Sequence, residues 1–176
     1  MKRTEYNKVY KFEKNYKNDE EFTAVKTVIK AASTDKTRIF INGVRAEKER
    51  IIATDGRRLH FINNNNLLDE GFYHVLFSSG TKIVLVKSDE KIDYPDYNRV
   101  IPDKKNMINC QALKGLHSPA FFISRVISES KCYVNYKYLE DVPVDDYELW
   151  YHEDDDTKPI MLCGKTLTAV IMPIQK

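Results

Sequence analysis

Apolar residues in this chain come in short runs, each closed within a few residues by a turn-forming pair. Ile51, Ile52 and Ala53 lead into Asp55-Gly56, which turns the chain toward Leu59, Phe61 and Ile62. From Arg38, Ile39 and Ile41 alternate with polar partners and meet Asn42-Gly43. Residues 72–77 and 82–87 read as a hairpin around Ser78-Ser79-Gly80. This punctuation predicts short strands joined by tight turns. The tract 63–66 is all Asn and reads as a loop. Tyr94-Pro95-Asp96-Tyr97 reads as a bend, and Pro102-Asp103 as a connector.

Residues 19–33 follow a different period. Phe22, Val25, Val28, Ile29 and Ala32 recur at helical spacing, so this stretch is predicted to be a helix with one apolar face. Asn18 and Glu21 stand where a capping box needs them. The second half repeats the rhythm more weakly. Residues 121–127 and 132–135 read as strands, 136–142 as a short helix stopped by Pro143, and 147–151, 160–163 and 167–172 as three closing strands. Each half is thus a strand, a helix and several strands, without a strict sequence repeat. Strands with few helices, rather than regular alternation, predict an α+β chain built from two βαβββ-type units with antiparallel sheets.

At 176 residues the length suits one domain or two small ones. No uncharged apolar run approaches the roughly 18 residues that cross a bilayer, and no apolar stretch follows the basic start, so neither a membrane span nor a secretory leader is expected. A net charge of +2 is far from that of a DNA-wrapping protein. The charge is unevenly spread, however. Lys2, Arg3, Lys8, Lys11, Lys14 and Lys17 crowd the start, while residues 140–156 carry many acids and no base. These runs read either as solvated surface or as a basic and an acidic face.

Cys110, Cys132 and Cys163 are far apart and form no CxxC pair, which suits free thiols in a reducing cytoplasm. His60, His74, His117 and His152 show no metal-ligand spacing. Asp154-Asp155-Asp156 lacks the pattern of a calcium loop. There is no phosphate loop, dinucleotide fingerprint or nucleophile elbow. Cys163 with His152 is the one conceivable nucleophile pair. The residues predict no catalytic group, no metal and no cofactor.

Three segments carry most of the functional information. They are Ile51-Ile52-Ala53-Thr54-Asp55-Gly56-Arg57-Arg58-Leu59, then Tyr94-Pro95-Asp96-Tyr97-Asn98-Arg99-Val100-Ile101-Pro102, then Ala169-Val170-Ile171-Met172-Pro173-Ile174. Singly they read as a tight turn, a proline-bounded loop and a last core strand. Together and in this order they resemble the bacterial DNA polymerase sliding clamp, the beta subunit family. The tract Tyr133-Val134-Asn135-Tyr136-Lys137-Tyr138-Leu139-Glu140-Asp141-Val142 is similar to that family's strand-to-helix passage near its C-terminus.

The resemblance implies a DNA-clamp-like fold. Residues 1–103 would correspond to a shortened middle domain and 104–176 to the C-terminal part of the last domain, with the family's first domain absent. It implies a processivity factor that performs no chemistry, encircles duplex DNA without reading sequence, and tethers polymerase or clamp-loader-type proteins through a short linear peptide. Leu59, Pro102, Val170 and Met172 would form the apolar floor of the peptide pocket. Thr54, Gly56, Arg57 and Arg58 would form its rim, Arg57 standing where the family most often has His. Methionine suits such a floor because its thioether adapts to different side chains.

Lys11, Lys14, Lys17, Lys26 and Lys30 are the candidate phosphate contacts, against the alternative that they simply solubilise the surface. The length leaves two expectations open. Either a homo-oligomeric ring uses more chains than a pair, or the chain is a clamp-derived adaptor or decoy that binds replication proteins without encircling DNA.

Overall fold

The structure, a computed structural model, describes residues 8–15, 19–111 and 113–174. Lys17 and the proposed cap Asn18 lie outside these residues. The chain divides into two compact units. One takes the residues up to Gly56 together with Phe61–Pro95; the other takes Arg57–His60 together with the chain from Asp96 onward. The sequence reading puts the boundary after residue 103, so 57–60 and 96–103 fall in the second unit instead.

In the first unit, strands β1 (Val9–Glu13), β2 (Val44–Ala46), β3 (Arg50–Thr54), β4 (Arg58–Asn63), β5 (Gly71–Ser78) and β6 (Lys82–Lys87) follow the order β1-β6-β5-β2-β3-β4. Only the second half of β4 belongs to this unit. Helix α1 (Asp19–Lys30) lies against β3. Its Phe22, Val25 and Val28 are buried, as the helical period requires. The β5–β6 hairpin turns where expected, with Ser79 Oγ accepting from the amides of Thr81 (3.2 Å) and Lys82 (3.0 Å). Asn65 and Asn66 take left-handed backbone, which Asn tolerates. Buried Asn64 ties this loop together, its amide donating to Glu47 O (2.6 Å) and Leu68 O (2.8 Å).

One expected strand is missing from this unit. Ile39 and Ile41 sit in turns before β2. Arg38 O accepts from the amides of Ile41 (3.0 Å) and Asn42 (3.1 Å), and the Asn42 side chain donates to Ser33 O (2.9 Å). Local bonds thus take the groups a sheet ladder would need.

In the second unit, β7 (Ile108–Cys110), β8 (Glu148–Tyr151), β9 (Ile160–Cys163) and β10 (Leu167–Ile171) follow the order β4-β10-β9-β8-β7, with the start of β4 included. The β7–β8, β8–β9 and β9–β10 pairings are antiparallel. Helix α2 (Pro119–Ser130) packs on β8 and on the short helix α3 (Tyr136–Glu140).

Two expected strands are corrected here. Residues 121–127 lie inside α2, not in a strand. Proline at the first helical turn starts this helix, and Phe122, Val126 and Ser130 are buried at four-residue spacing. Lys131, at φ 55°, ends it. Residues 132–135 form no strand either. Cys132 and Val134 are buried and Tyr133 is exposed, so the alternation is real. Asn135, however, is committed to capping α3, its Oδ1 accepting from Lys137 N at 3.1 Å.

Antiparallel sheet with few helices is therefore the observed α+β class. The second unit follows the order β, α, α, β, β, β, and the first has additional strands after its helix. Among the described residues no helix is long and apolar enough to cross a membrane.

Candidate functional site

The C-terminal strand of the second unit runs past β10 and keeps hydrogen bonding. Met172 N donates to Arg57 O at 2.9 Å, and Ile174 N donates to Tyr133 O at 2.6 Å. Pro173 between them has no amide to offer, so the bonds are made by alternate residues. This leaves Met172 36% and Ile174 53% exposed, although the strand behind them is core.

Two cavities open beside Met172. One, of about 380 Å³, is lined by Arg57, Asn135, Tyr138, Met172, Pro173 and Ile174. The other, of about 510 Å³, lies between the segment 99–106 and the β8–β9 connection. Val100, Pro102 and Met172 give it an apolar wall, while Arg99, His152 and Lys158 stand among its polar lining.

Local turns place these groups. Asp96 Oδ1 accepts from Asn98 N (3.2 Å) and starts the 3-10 turn Tyr97–Val100, which presents Arg99 and Val100. Asp103 Oδ1 accepts from Lys105 N (3.1 Å) and caps the next such turn just beyond Pro102. On the other wall, Thr157 bonds the Asp155 carboxyl through both hydroxyl and amide. Those bonds hold that carboxyl below its ordinary range, with Lys158 and His152 adding to the effect.

The sequence-predicted site residues separate into three groups. Arg57, Pro102 and Met172 line the cavities, and Met172 lines both. Arg58, Leu59 and Val170 belong to the same unit but line neither. Leu59 and Val170 are buried core. Arg58 pairs with Asp141 at 2.5 Å and stands 4.6 Å from the Tyr138 ring centre. Thr54 and Gly56 fall in the first unit. There Thr54 Oγ1 accepts from Gly56 N at 3.0 Å. Gly56 has φ +89°, and the space a side chain would fill is taken by Arg38, whose guanidinium donates to Asp55 O at 2.9 Å.

Sequence reasoning did not assign Asn135, Tyr138, Arg99 or Ile174 to the site, although all lie within the quoted motifs. His152, Thr157 and Lys158 had no signal beyond their place in an acidic loop.

The four described candidate DNA contacts all belong to the first unit. Lys11 is exposed on β1, and Lys14 is paired with Asp19 at 3.1 Å. Lys26 is half-buried on α1, and Lys30 is exposed in its last turn. The first turn of α1 is acidic, with Asp19, Glu20 and Glu21 exposed.

Chemistry has little footing. Burial pushes the Cys163 thiol up, away from the thiolate that a nucleophile needs. Among the described residues no group of three or more His, Cys, Asp or Glu side chains is placed to hold a metal ion.

No family model matches the chain, and no curated protein matches its sequence. Solved structures do match. The DNA polymerase III beta subunit of Thermotoga maritima aligns with 100% of this chain and 68% of its own, with a TM-score of 0.55 at 16% identity. The Bacillus subtilis DNA polymerase sliding clamp aligns over 100% of this chain and 66% of its own, at 0.56 and 12%. The Pseudomonas aeruginosa DNA polymerase sliding clamp with ligand aligns over 99% and 68%, at 0.57 and 11%. Identities this low show a shared fold: the chain has the sliding-clamp fold, and its match spans about two thirds of the length of those proteins.

Proposed function

We propose that this chain is a sliding-clamp-like replication protein of the cytoplasm, without catalysis or cofactor, that tethers polymerase or clamp-loader-type partners through a short extended peptide. The observation that carries this reading is Met172, shared by two cavities whose other linings include Arg57 and Pro102. Three segments distant in sequence thus contribute apolar and polar groups to a surface of two cavities that share Met172. Such a surface suits bulky side chains of a partner strand, with its direction fixed by the polar groups.

Titration with a peptide of the Gln-x-x-Leu-Phe sort tests it. Saturable binding is expected, and Met172→Ala should weaken it about tenfold or more, as truncating a central interface anchor does. Absence of saturable binding, or an unchanged affinity in Met172→Ala, overturns the reading.

The correspondence of the two units to a reduced middle and last clamp domain belongs to the same proposal. So does self-association. Among the described residues β1 pairs only with β6 and β7 only with β8, so each offers an open edge to another chain. A second reading, the adaptor that does not encircle DNA, is favoured by the helices. The acidic first turn of α1 repels phosphate, and α2 carries one cation, Arg125, paired with Glu129 at 3.0 Å. Duplex association that weakens steeply with salt supports the clamp; a monomer without duplex association supports the adaptor.

A further inference from the structure

We infer that Arg58 is a positioning residue, whose guanidinium, held by Asp141 and facing the Tyr138 ring, fixes where α3 presents Tyr138 to the smaller cavity. Its importance for binding rests on the peptide-site reading above; the positioning itself does not.

Helix α3 has five residues, too few to hold its own shape in water. Its N-terminal end is capped by Asn135, and Leu139 anchors it in the core. Those ties set which face of the helix is buried, and Tyr138, only half-buried, needs a restraint of its own. Arg58 supplies that restraint at two points, through a 2.5 Å bond to Asp141 and through its position 4.6 Å from the Tyr138 ring centre. A guanidinium can do both at once because it is planar, bonds along its edge and stacks on its face.

Asp141 also needs a cation where it stands. It is the C-cap residue of α3, at the end of the helix where a carboxylate is disfavoured by the helix dipole. The Arg58 side chain is only 10% exposed and that of Asp141 30%, so the pair is partly shielded from solvent. The adjacent residue completes the arrangement. Arg57 O holds Met172 N, so two consecutive residues hold two side chains that line the same cavity, one by its backbone and one by its side chain.

Hydrogen exchange and peptide titration on Arg58→Gln, Arg58→Lys and Asp141→Asn test this. In Arg58→Gln the amides of Tyr138 and Val142, which bond to Asn135 O and Leu139 O at the two ends of α3, should exchange about tenfold faster, with β9 and β10 amides unchanged. Arg58→Lys keeps the charge but not the planar face, and should lie in between; it also serves if Arg58→Gln does not fold. Tyr138→Ala should weaken peptide binding in the wild-type background and add little in Arg58→Gln. Wild-type exchange rates for α3 in both Arg58 variants, or a full Tyr138→Ala effect in Arg58→Gln, overturn the inference. Altered exchange with no peptide binding by the wild-type chain sinks the peptide reading and leaves the positioning role standing.

Discussion

Glycine 164 shows how little room the second unit leaves. A Cβ built there would lie 2.6 Å from the ring of Tyr147, a side chain only 1% exposed and so unable to swing away. Gly164→Ala should therefore cost about 1–3 kcal/mol in a urea unfolding curve. Gly80 has nothing within 4 Å of the same position, so Gly80→Ala should stay within about 0.5 kcal/mol of wild type. His74 gives the first unit a pH dependence. Burial, its main influence, lowers the imidazole pKa from 6.5, while Glu90 opposes the shift. The unfolded chain then binds the proton more readily, so the His74 contribution is fully present above about pH 6.5 and declines as pH falls toward the folded pKa. Urea midpoints at pH 7.5 and 5.5 should differ less in His74→Gln than in the wild type.

Elements whose sequence signals agree with one another were legible before the structure. Helix α1 has its apolar period, acidic first turn and Lys30 in the last turn, all consistent with one answer. Residues 121–127 read as a strand because they are rich in aromatic and β-branched residues, which favour strands locally, while burial of every fourth side chain makes them part of helix α2. The stretch 132–135 has the alternation of a strand, and the cap at Asn135 outweighs it. Strands β1 and β7 lie at the ends of their sheet orders and leave no clear pattern in the sequence. The cavity linings show the same division. Arg57, Pro102 and Met172 stand within the sequence motifs, whereas Lys158 and His152 reach their cavity only through the course of the β8–β9 connection. If the lysines of β1 and α1 contact duplex DNA, replacing Lys11 and Lys30 by Gln should reduce the log–log salt slope by about 2, since each phosphate contact contributes roughly 0.9. Fluorescence anisotropy with a labelled duplex across a salt series measures that slope, and an unchanged value removes both residues from the interface.

At the scale of the whole molecule, mass in solution separates ring from adaptor: light scattering should report more than two chains per particle for a closed ring. The path of the chain has its own consequence. It passes from one unit to the other after Gly56, returns after His60, and leaves again after Pro95. Strand β4 is thereby divided, with Arg58 to His60 counted in one unit and Phe61 to Asn63 in the other. Residues 96–176 expressed alone would lack the strand beside β10 and the Arg58 guanidinium that pairs with Asp141. They should show no cooperative melt by circular dichroism, and a peptide covering 55–62 should restore one. A single genetic crossover therefore cannot exchange either unit whole, because every cut that frees one removes part of the other.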